Sequence, residues 1–69
     1  MKAEFLNIDE VVARTDLPRS TVYWLMSEGL FPRPIHISPR RARWLESDLA
    51  KWLADRIKER DAKEKLNAA

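Results

Sequence analysis

The chain predicts a mainly α fold that carries one small β-hairpin. Apolar residues recur at i, i+3, i+4 in separate segments, the signature of helices with one buried face. Around residues 35–45 the period drops to two, as a half-buried strand pair requires. The single glycine, Gly29, falls where the second helical pattern ends. Two helices joined by a tight turn make a helix-turn-helix, here followed by the hairpin.

Phe5-Leu6 reads as a short edge strand. Asn7-Ile8-Asp9-Glu10 has the form of a capping box, and Ile8, Val11 and Val12 mark one face of a first helix ending near Arg14 or Thr15. Asp16-Leu17-Pro18 stops it, because proline disfavours a helical residue before it. A second helix is expected over about residues 19–28, its inner side marked by Val22, Leu25 and Met26, with Gly29 at its C-terminal turn. The hairpin is expected over about residues 35–45, turning at Pro39-Arg40-Arg41. The alternation places Ile35, Ile37 and Trp44 on one face, and His36, Arg40, Arg41 and Arg43 on the other face and the tip. Glu46-Ser47-Asp48 puts acids and a capping hydroxyl at the start of a last helix, whose inner side is Leu49, Trp52, Leu53 and Ile57. Residues 1–60 form the expected domain; residues 61–69 are a polar tail expected to fray.

With 69 residues the chain suffices for one modest core and not for a roomy cleft beside it. There are no cysteines and one histidine, so thiolate and multi-histidine metal sites are excluded. No apolar run approaches the roughly 20 residues of a membrane helix, and the acidic N-terminal stretch is unlike a signal peptide. No glycine-rich phosphate loop and no histidine beside a nucleophile is present, so no enzyme, cofactor or small-molecule ligand is expected. The expected location is the cytoplasm, on the nucleoid.

Net charge is only +2, but it is unevenly placed. Residues 1–32 hold three cations against five acids, and residues 46–69 hold six of each. Residues 33–45 hold four arginines and no acid. Such a local field attracts a polyanion even on a nearly neutral molecule. The second helix adds Ser20, Tyr23, Trp24 and Ser27 on the side away from Val22, where a major groove would meet them, with Arg19 beside Ser20 at its N-terminal end, placed for phosphates or base edges. The expected contacts to double-stranded DNA are therefore Arg19, Ser20, Tyr23 and Trp24 on the helix, and Arg33, His36, Arg40, Arg41 and Arg43 on or beside the hairpin. Each has a plainer alternative. Tyr23 and Trp24 read equally as partial core, His36 as a surface strand residue, Arg19 as a solvated helix start, and Arg43 as a partner for Glu46. Trp44 and Trp52 read as core. The last helix mixes charges at i, i+4 and reads as a solvated face.

The residues "RSTVYWL" at 19–25, "EGLFPRPI" at 28–35 and "RARWLESDLAKWL" at 41–53 together resemble the AlpA-type prophage regulators over roughly residues 5–60. That family is similar to the excisionases and to the DNA-binding domain of MerR proteins, in a winged-helix arrangement. The resemblance implies DNA binding in a mobile element, with Arg19, Ser20, Thr21, Tyr23 and Trp24 on the recognition helix and Arg40, Arg41 and Arg43 on the wing. Pro18 departs from the serine common in such sequences. No counterpart of the MerR dimerisation helix or effector domain is seen, so metal or drug sensing is not implied. The leading expectation is a transcriptional regulator of a prophage or other mobile element. The alternatives are an architectural excisionase acting with a recombinase, and a protein-interaction module that uses Tyr23, Trp24, Phe31 and the last helix without DNA. A monomer that binds DNA cooperatively with other copies is expected.

Overall fold

A computed structural model describes residues 4–67. The order is β1 (Phe5–Leu6), α1 (Ile8–Thr15), α2 (Arg19–Ser27), β2 (Ile35–Ser38), β3 (Arg41–Leu45) and α3 (Glu46–Asn67). The strands form one antiparallel sheet in the order β1-β3-β2, so the expected edge strand completes the hairpin into three strands.

Local chemistry sets each boundary. The capping box of α1 is complete: Asn7 accepts from the Glu10 amide at 2.8 Å, and the Glu10 carboxylate accepts from the Asn7 amide at 3.1 Å. Asp16 ends α1 in the left-handed region, φ 57°, and donates its amide to Val12. The turn into α2 therefore needs both that reversal and Pro18. α2 begins at Arg19 with Pro18 as N-cap and no side-chain cap. It ends in a Schellman arrangement: the Leu30 amide donates to Leu25, the Gly29 amide donates to Met26, and Gly29 adopts φ 69°.

Leu6, Val11, Val22, Phe31, Trp44 and Leu49 form the core, so each element except β2, and the segment after α2, contributes one residue. Ile8, Leu17, Leu25, Met26, Trp52 and Leu53 pack around it. Two indoles tie down the connector from α2 to the hairpin. Trp44 Nε1 donates to the Pro32 carbonyl at 3.0 Å, and Trp52 Nε1 donates to the Leu30 carbonyl at 2.8 Å. Phe31, between them, packs on Trp52 with ring centroids 4.8 Å apart. Trp52 is thus half-buried rather than fully enclosed.

Three expectations need correction. First, Ile35 and Ile37 do not share a face with Trp44. A two-residue turn alone would pair Ile35 with Trp44. A bulge between His36 and Ser38 shifts the register by one, giving Ile35↔Arg43 and His36↔Ala42. A one-residue shift moves every following side chain to the other side of the sheet. His36 therefore lies on the side of Trp44, and Ile35 lies outside with Arg43. Second, α3 continues to Asn67 instead of fraying after Arg60, with ion pairs Lys51–Asp55, Arg56–Glu59 and Arg60–Asp61 along it. Third, Glu46 pairs with Arg14 at 3.1 Å, not with Arg43.

Candidate nucleic-acid interface

The inner side of α2 is set by Val22, fully buried, with Leu25 and Met26 packed beside it. At about 100° per residue this turns Tyr23 and Trp24 outward, and they are 51% and 56% exposed. Neither is core. Ser20 is exposed, while Thr21 is half-buried. Ser27 spends its hydroxyl on the Trp24 carbonyl at 2.6 Å, so that donor is occupied within the helix.

The hairpin stands beside this face. A groove of about 520 Å³ is lined by Tyr23, Met26, Ser27, Arg33, Pro34 and His36. A second hollow of about 320 Å³ shares Tyr23, Met26, Pro34 and His36 and adds Arg40, Ala42 and Arg43. Tyr23 of the helix, Arg33 of the connector and His36, Arg40 and Arg43 of the hairpin therefore line two hollows that share four residues. The bulge pairs His36 with Ala42, and both line the second hollow. Trp24 and Arg41 lie outside both hollows.

Charge follows the same division. Arg33, Arg40 and Arg41 are exposed, and among the described residues none has a carboxylate within ion-pair distance. Arg43 is half-buried and donates Nη1 to the Ala42 carbonyl at 2.8 Å, which holds its guanidinium along the strand. Arg19 differs. Its Nη2 donates to Asp9 Oδ1 across from α1. Sequence reasoning passed over Asp9, because an acid in the first turn of a helix is accounted for by the helix dipole alone. Its nearness to Arg19, ten residues away, comes from the α1–α2 packing.

The interaction-module alternative loses one anchor. Phe31 is buried in the core and offers no apolar surface. Among the described residues no group of three or more His, Cys, Asp or Glu side chains could hold a metal, and no helix is long and apolar enough to cross a membrane.

The profile of the family described as "Prophage CP4-57 regulatory protein (AlpA)" matches residues 4–57. The chain is also 38% identical over 53 residues to "Uncharacterized protein ORF88" of Enterobacteria phage P4. That match covers 77% of this chain, which in turn spans 60% of that relative's length. No solved structure matches.

Proposed function

The chain belongs to the AlpA family of prophage regulatory proteins, and on that premise we propose that it binds double-stranded DNA as a transcriptional regulator of a prophage or another mobile element. In this reading α2 enters the major groove and the β2–β3 hairpin lies on the neighbouring backbone or minor groove. One observation carries the reading: Tyr23 and Ser27 of α2 line hollows whose other walls include Arg33, Arg40 and Arg43, and among the described residues these arginines have no carboxylate partner. Their mutual repulsion is relieved by a phosphate backbone. Tyr23 and Trp24 give the same side two broad rings that suit thymine methyls and the sugar wall.

Titrating the protein with duplexes at increasing salt tests the proposal. If about five phosphates are contacted, affinity falls roughly 10²–10³-fold between 50 and 200 mM salt. The Arg40→Ala/Arg41→Ala double variant weakens binding to all sequences and flattens the log–log salt slope by about two units. Ser20→Ala and Tyr23→Ala change the preference among sequences instead. Affinity indifferent to salt would sink the scheme.

A further inference from the structure

The candidate interface treats its arginines in two ways. Those at the hairpin have no acid within ion-pair distance among the described residues, as phosphate contacts require. Arg19, the only cation of α2, is bound to Asp9. Both partners are well exposed, at 60% and 70% of their side-chain surface, so the pair sits in the open at the N-terminal end of α2.

We infer that Asp9 is a positioning residue that reserves Arg19 for a base edge and denies it to the phosphate backbone. The inference rests on the DNA-binding reading above. Its argument is one of charge and geometry. A phosphate drawn to Arg19 would come within a few ångströms of the Asp9 carboxylate, far inside the roughly 8 Å screening length at physiological salt, and the two anions would repel. A guanine edge carries no net charge and meets no such penalty. Guanidinium has five N–H donors in a rigid fork, and one Nη2 contact to Asp9 leaves donors for the O6 and N7 acceptors of guanine. Tethering also removes rotamer freedom from a long side chain before it meets DNA. Asp9 lies in the first turn of α1, behind the Asn7–Glu10 capping box, where the helix dipole favours an anion. Asp9 would thus set specificity without touching the duplex, and the helix would read while the wing clamps.

The test compares the wild-type chain with Asp9→Asn, Arg19→Ala and the double variant. Two probes are used: a duplex enriched from a random pool by the wild-type chain, and a shuffled duplex of equal composition. Circular dichroism confirms that each variant is folded; asparagine keeps the shape of aspartate. Affinities are measured from 50 to 200 mM salt. Asp9→Asn should bind the shuffled duplex several-fold more tightly, narrow the enriched-to-shuffled ratio, and steepen the salt slope by about 0.9, the mark of one added phosphate contact. Arg19→Ala should lower that ratio roughly 10- to 100-fold and leave the slope unchanged. With alanine at 19, Asp9→Asn should do nothing further to the ratio. The inference is overturned if Arg19→Ala flattens the slope by about 0.9 while Asp9→Asn leaves the ratio untouched. It is equally overturned if Asp9→Asn acts as strongly with alanine at 19, since net charge then suffices. A wild-type chain with neither salt-dependent affinity nor discrimination refutes DNA binding itself, which is a different outcome from these two.

Discussion

Trp44 and Trp24 carry the same ring into opposite environments. Trp44 is 2% exposed, and its Nε1 satisfies the Pro32 carbonyl. Replacing it by phenylalanine shrinks the core and leaves that carbonyl without its donor. Trp44→Phe should cost about 2–3 kcal/mol, read from the urea midpoint at unchanged m-value. Trp24→Phe should stay within about 0.5 kcal/mol, since the ring is mostly in solvent. A cost near zero for Trp44→Phe would mean that the indole is not a tie. The burial of Trp44 was legible in its alternation with charged neighbours. The exposure of Trp24 was half legible: Val22, Leu25 and Met26 define an inner side, but helical angle cannot tell whether a loop folds over the outer one. Asp9 was not legible as a partner of Arg19, because ion pairs between helices depend on a crossing geometry that no spacing rule encodes.

At the scale of elements, helix starts and stops were readable because they are local chemistry. Asn7 with Glu10, and Gly29 after α2, specify their caps within a few residues. The hairpin's location was readable for the same reason, and its facing was not. One extra residue at the bulge reverses which side chains meet the helices, and nothing in Ile35-His36-Ile37-Ser38 announces it. The length of α3 was underestimated because exposed charges look like a tail, whereas alternating signs also sustain a solvated helix. Its last core-packed side chain is Leu53; Ile57 is half exposed and Leu66 mostly so. A chain ending after Arg60 should therefore lose helical ellipticity yet keep its urea midpoint, a change within about 0.5 kcal/mol. A large loss of stability would show that the distal helix supports the core.

The whole molecule reflects that projecting helix. Its longest dimension is 51 Å and its radius of gyration 14.1 Å, against about 11 Å for a compact chain of this length. Where α3 leaves the sheet, the Glu46 amide donates to the Glu4 carbonyl at 3.0 Å, and the two carboxyl groups meet beside Arg14. The hydrogen bond to Glu46, and then that group's charge, push the Glu4 carboxyl above its ordinary range. The hydrogen bonds from Glu4 and Arg14 hold Glu46 below it. The raised group contributes stability that is complete below its unfolded-chain value and lost as pH rises through the folded value. The lowered group contributes stability present above its unfolded-chain value and lost as pH falls through the folded one. The pair thus favours the window between the two, where one proton is shared. Glu4→Gln keeps a donor to Glu46 and removes the proton, so only the acid-side loss should remain. Urea midpoints from pH 3 to 7 check the sign: the variant should gain on the wild type as pH rises, and parallel curves would contradict the shared proton.

The indole ties at Leu30 and Pro32 grip the strap between α2 and the β2–β3 hairpin from both sides of a buried ring. Helix and wing consequently behave as the two jaws of a caliper whose gap is machined during folding. On the proposed reading, a duplex seated there would meet that gap ready-made and conform its own groove width and curvature to it.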